Sequence, residues 1–169
     1  MFMKTLLDIS QMDLKTAKRF YTLAKTEETD YNIPMTCYFL EQSIEKALKG
    51  IMDLFSIEYK FDHEIARKIV DIRNNKSLIK DYERLNSALQ DLEIMANEIS
   101  IWNSKPRYII NFMQTNRTID IAMNIAEKLS SYIDTIKPIE VAGEDVKKTH
   151  LQSQNKLELI GKSKENLIE

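Results

Sequence analysis

The chain has 169 residues, 43% apolar and 30% charged, which suits one domain with a real core and a well-solvated surface. Three glycines and three prolines are too few for a turn-rich β fold, and a formal charge of −2 gives no global pull toward nucleic acid or an anionic membrane. A single cysteine, Cys37, excludes an intramolecular disulfide, and no zinc-type spacing occurs.

The N-terminal stretch MFMKTLLDISQMDLK has too short an apolar run for a signal peptide, with acids following at once. No apolar stretch approaches the roughly 18 residues of a bilayer span, so the expectation is a cytoplasmic protein without a membrane partner. A first helix is predicted from about Asp8 to Glu28, because Leu14, Ala17, Tyr21 and Ala24 recur at threes and fours. TEETDYN breaks that pattern, and Asn32 and Pro34 suit a new helix start. The second helix then runs from about Pro34 to Phe55 along Leu40, Ile44, Leu48, Ile51 and Phe55. Glu45 and Lys49 form an i,i+4 pair in the favourable order. Gly50 is either tolerated variation or a point where a neighbouring helix comes close, since glycine costs about 1 kcal/mol against alanine inside a helix.

A third, shorter helix begins at DHEIARKIVDI, with Asp62 as N-cap and Ile65, Ile69 and Ile72 inward. The fourth is predicted over about Ser77 to Ile101, with Ile79, Tyr82, Leu85, Leu89, Leu92, Ala96 and Ile99 alternating in threes and fours. WNSKPRY reads as a loop, because Pro106 disfavours a helical Lys105. The fifth helix covers about Thr115 to Lys137 and ends at Pro138. The fold class is therefore all-α. Residues 1–138 form an up-and-down bundle of four long helices and one short one, and 139–169 form a polar tail that is mobile or locally helical.

Much chemistry is missing from the pattern. The two histidines, His63 and His150, have no glutamate three residues before them, so no helical di-metal motif is present and no metal or cofactor is expected. Glycines only at 50, 143 and 161 leave no phosphate-cradling loop. Cys37, near the start of the second helix, reads as a buried inert thiol rather than an activated one.

Four segments in register carry a resemblance. DLKTAKRFYTLAK in the first helix, CYFLEQSIEKALKGIM in the second, DHEIARKI at the third, and PRYIINF leading to IAEKLSSYI at the end together resemble HEPN domains, the "higher eukaryotes and prokaryotes nucleotide-binding" helical proteins. The resemblance spans about residues 8 to 137. It implies a bundle that dimerises. It also implies work beside a minimal nucleotidyltransferase as a nucleotide-binding or substrate-positioning module, or as a metal-independent RNase in toxin–antitoxin and defence systems. The RNase branch places a histidine shortly after an arginine. Here Phe112, Met113 and Gln114 stand five to seven residues after Arg107, and Ala122, Met123 and Asn124 follow Arg117 at the same distances. With no group of near-neutral pKa at that spacing, no catalytic residue is assigned. The expectation is a non-catalytic module that binds a nucleotide or positions substrate for a separate minimal nucleotidyltransferase, within a toxin–antitoxin or defence system, with a nucleotide or RNA as ligand. An RNase with a divergent site and an interaction protein without a small ligand are the alternatives.

Ligand-binding candidates are Lys46, His63, Arg107 and Tyr108, cationic or stacking groups suited to phosphate and base. Each also has a structural reading: His63 as a packing or capping residue, Arg107 tied to a carboxylate, Tyr108 closing the core. Glu45 and Lys46 belong to a polar helix face that is either solvated or lines a pocket. Trp102 reads as a core lid. The apolar run Ile109, Ile110, Phe112 and Met113 is the expected homodimer interface.

Overall fold

A computed structural model describes residues 5–26, 31–60, 62–104 and 114–136. Among them are five α-helices and no strand: α1 (Leu6–Thr26), α2 (Asn32–Leu54), α3 (Ile65–Asn74), α4 (Tyr82–Ser100) and α5 (residues 116–136). Four are long and α3 is short, the all-α architecture that the apolar spacing predicts. They belong to the compact unit Met1–Asp134, with α5 running two residues past it. The predicted boundary at 138, the tail at 139–169 and the apolar run at 109–113 lie outside the described residues. No described helix is long and apolar enough to cross a membrane.

Local chemistry sets the helix ends. Thr5 opens α1 with a reciprocal box: its hydroxyl accepts the Asp8 N–H at 3.2 Å while the Asp8 carboxylate accepts the Thr5 N–H at 3.3 Å. Thr115 accepts the Thr118 N–H at 3.2 Å where α5 begins. After α2 the chain turns on Ser56, held left-handed at φ 56°. The Ile57 N–H reaches back to the Met52 carbonyl at 2.8 Å and the Ser56 N–H to Asp53 at 3.2 Å. That is a Schellman ending, with a serine in the position usually given to glycine.

Two predicted starts need correction. α4 begins at Tyr82, not near Ser77, because Lys76–Leu78 form a 3-10 turn and Asp81 adopts a left-handed conformation at φ 53°. Ile79 is buried as predicted, but from an extended link. Apolar spacing registers burial and cannot distinguish a helical residue from a linker residue that plugs the same core. Asp62 does not cap α3 directly, since the residue before Ile65 is Glu64. Its carboxylate accepts the Glu64 N–H, the Lys68 ammonium and the Arg67 guanidinium. It braces the turn ahead of the helix, and those partners hold it below the usual carboxylate range, the Lys68 hydrogen bond foremost.

The core is built on four residues of the predicted α2 stripe, Leu40, Ile44, Leu48 and Ile51, all fully buried, whereas the fifth, Phe55, stands at the C-cap beyond Leu54 and is half-buried. α1 lies along α2 at close range. A Cβ placed on Gly50 would stand 2.6 Å from Leu7 Cδ2 and 3.1 Å from the Leu7 backbone nitrogen, so the close-approach reading of this glycine holds. Nearby, the buried Ser10 hydroxyl donates to the Ser43 carbonyl at 2.8 Å. On its other flank α1 meets α5 through Tyr21 to Asp120 at 2.7 Å, Lys18 to Glu127 at 2.7 Å and Gln11 to Asp134 at 2.8 Å. α3 joins α4 by a two-pronged Arg73–Glu93 pair at 2.7 and 2.9 Å.

Candidate functional site

Two places on this bundle gather polar chemistry. The first is on α2. Glu41 and Glu45 are four residues apart, so they sit on one face of the helix, and both are buried. One Glu45 oxygen takes the Lys49 ammonium; the other meets His63 Nδ1 at 2.8 Å, brought in by the link between α2 and α3. Burial pushes the Glu45 carboxyl up, but the hydrogen bonds from Lys49 and His63 outweigh it and hold the group below its usual range. Glu41 has weaker support, from the neutral Gln42 amide and the charge of Lys46. Its Oε2 accepts Gln42 Nε2 at 2.7 Å, while its Oε1 is buried without a hydrogen-bond partner. Burial pushes its carboxyl up to about 8, with the neighbouring Glu45 adding to the shift. Beside this cluster, Lys46 reaches across to Asp13 of α1 at 2.6 Å.

The second place is a groove of about 650 Å³ between α4 and α5. Its lining is largely apolar, with Ile94, Met95, Ile121 and Ile125, and Asp91, Asp120, Arg117 and Asn124 complete it. Ile94 is 85% exposed, the most exposed large apolar side chain among the described residues. The two acids are engaged: Asp91 with Lys128 at 2.5 Å, Asp120 with the Tyr21 hydroxyl. Arg117, in the first turn of α5, makes no ion pair among the described residues.

A family model for the HEPN domain matches residues 4–136. The chain belongs to the HEPN domain family. No curated protein and no solved structure matches it. Membership carries a nucleotide- or RNA-related module on an all-α bundle, and HEPN domains often dimerise.

Of the ligand-binding candidates this HEPN domain's sequence singles out, Lys46 and His63 are described, and neither lines the α4–α5 groove. Lys46 and His63 are each committed to a carboxylate, Asp13 and Glu45 respectively. Glu45 sits in the buried cluster rather than on a solvated face. Arg107 and Tyr108 lie outside the described residues. Trp102 is fully buried in the 3-10 turn that ends α4, so it serves the core and offers no platform to solvent. Cys37 is likewise fully buried, and desolvation, with the Glu98 charge adding to it, pushes its thiol up to about 12, which makes it inert. Two further residues of the HEPN domain, Glu41 and Arg117, stand at these two places. Glu41 carried a readable signal, since it falls on the same face as Cys37, Ile44 and Leu48, where an acid is out of place. Arg117 gave none, because its groove is assembled from two helices.

Proposed function

We infer that this HEPN domain is a non-catalytic module that binds a nucleotide, or the phosphate-bearing end of an RNA, in the α4–α5 groove. It holds that ligand for a separate minimal nucleotidyltransferase, in the manner of a toxin–antitoxin or defence pair. The groove supports the ligand half of this reading. Its volume of about 650 Å³ falls in the range of small-molecule sites, and its apolar floor suits a base. Arg117 at its lip makes no ion pair among the described residues and stands in the first turn of a helix, where amide dipoles add positive potential for phosphate. The partner half rests on family resemblance, and co-purification with a nucleotidyltransferase encoded by a neighbouring gene tests it.

Lys46, His63, Arg107 and Tyr108 form the competing placement of the same ligand. Arg117 is preferred because Lys46 and His63 already satisfy carboxylates. Titration calorimetry with ATP, GTP and a short RNA against wild type, Arg117→Ala and Arg107→Ala separates the two. Loss of a desolvated charge-assisted contact of about 1.5–3 kcal/mol weakens binding roughly ten- to hundredfold. That loss is expected in Arg117→Ala; finding it in Arg107→Ala alone moves the site to the other placement. No binding to wild type points to an interaction protein without a small ligand. Cleavage of total RNA by the purified chain in EDTA would overturn the non-catalytic reading.

A second reading uses the same face. Ile94 and Ile121 are exposed apolar groups on neighbouring helices, and a patch of that kind fits a homodimer interface. The two readings are compatible if the partner copy closes the groove over its ligand.

A further inference from the structure

We propose that Glu41, Glu45 and His63 form a binding site for one divalent transition-metal cation of the Zn2+ type. The cluster is not an exposed patch of acids. Both carboxylates are buried on one face of α2, the imidazole arrives from a separate segment, and one donor atom from each residue lies within 4.8 Å of the others. The second observation is the unpartnered oxygen. Glu41 is fully buried, and its Oε1 has no hydrogen-bond partner, although Gln42 satisfies Oε2. A buried polar atom left without a partner is destabilising, more so when charged, and a bound cation removes that penalty.

The surroundings suit a metal in three further respects. Lys49 holds one Glu45 oxygen and so orients the carboxylate that offers the other, as supporting hydrogen bonds do around metal ligands. Once the cation displaces the Glu41 proton, two carboxylates against Lys49 leave one net negative charge for it to neutralise, with Lys46 already matched by Asp13. The His63 side chain is 61% exposed, which gives the ion a path from solvent. Carboxylate oxygen together with imidazole nitrogen favours Zn2+ or a neighbouring transition ion over Mg2+, which prefers oxygen and keeps its waters. Three protein donors leave a fourth position for water. Binding would fasten the α2–α3 link to α2.

The rival occupant is a proton, held on Glu41 and donated to Glu45. Calorimetric titration of the EDTA-stripped, dialysed full chain with ZnCl2 decides between them, run beside Glu41→Gln and His63→Ala. The expected result is one Zn2+ per chain. Each substitution weakens binding by about tenfold or more. The wild-type unfolding midpoint rises with Zn2+, while equimolar Mg2+ does not compete. No Zn2+ uptake by wild type overturns the proposal in favour of the proton. Unchanged binding in both variants also overturns it, because the ion then sits elsewhere on the chain. Should Glu41→Gln fail to fold by circular dichroism, His63→Ala decides, since its exposed ring is not part of the core.

Discussion

Glu41 shows how one residue can set a pH dependence. In the unfolded chain its carboxyl titrates near 4.5, and in the fold burial raises it to about 8. Between those values the folded state holds a proton that the unfolded state has released. Stability from this group is therefore full below about 4.5, falls as pH rises, and levels off above about 8. In EDTA, where no metal can intervene, urea unfolding at about pH 5 and about pH 9 should show a loss on the order of 2–4 kcal/mol from this group. Glu41→Gln mimics the protonated acid and should flatten the curve. An equally steep curve in the variant would assign the slope to other groups. Glu45, only four residues away, titrates in the opposite direction because Lys49 and His63 hold its charge. Two glutamates on one helix face thus respond differently, because Glu41 is the more deeply buried and Glu45 has the cationic partners.

At the scale of elements, α1 and α2 meet where side chains are small or absent. Gly50→Ala would gain about 1 kcal/mol of helix propensity. The added methyl would collide with Leu7, however, and overpacking of that kind costs about 1–3 kcal/mol. The expected outcome is a net loss of about 1 kcal/mol, read as a lower midpoint in urea; an unchanged or higher midpoint would mean that α1 shifts freely. The end of α2 presents the reverse case. Ser56 pays the left-handed penalty of about 1–2 kcal/mol that a Cβ imposes. Ser56→Gly should keep the Met52–Ile57 closure and raise stability by about 0.5–1 kcal/mol, partly offset by the freer unfolded chain. A lower melting temperature would show that the serine side chain contributes more than its strain.

For the whole molecule, the exposed face of α4 and α5 is the feature that a lone bundle does not explain. If it joins two copies, wild type should scatter light as a dimer at about micromolar concentration, in the affinity range of standard interfaces. Ile94→Lys, at a position already 85% exposed in the single chain, should give a folded monomer. A wild-type monomer would remove the dimer reading, and a dimer indifferent to Ile94→Lys would place the interface elsewhere.

The five helices were legible in the sequence because helical periodicity is a local signal: Leu40, Ile44, Leu48 and Ile51 announce a buried stripe without reference to any other segment. The HEPN family was legible for a related reason, since its motifs are short local stretches in a fixed order along the chain. The start of α4 was not, because Ile79 fills the core from a link and mimics a helical position. The role of Gly50 depends on α1, whose Leu7 lies against it, and no local pattern places that contact. The meeting of Glu41 and Glu45 with His63, and the groove between Arg117 and Ile94, lay beyond sequence altogether. Their members are separated by about twenty residues, and only the packing of one helix on the next decides which side chains share a space, which are paired, and which are left with an unsatisfied charge.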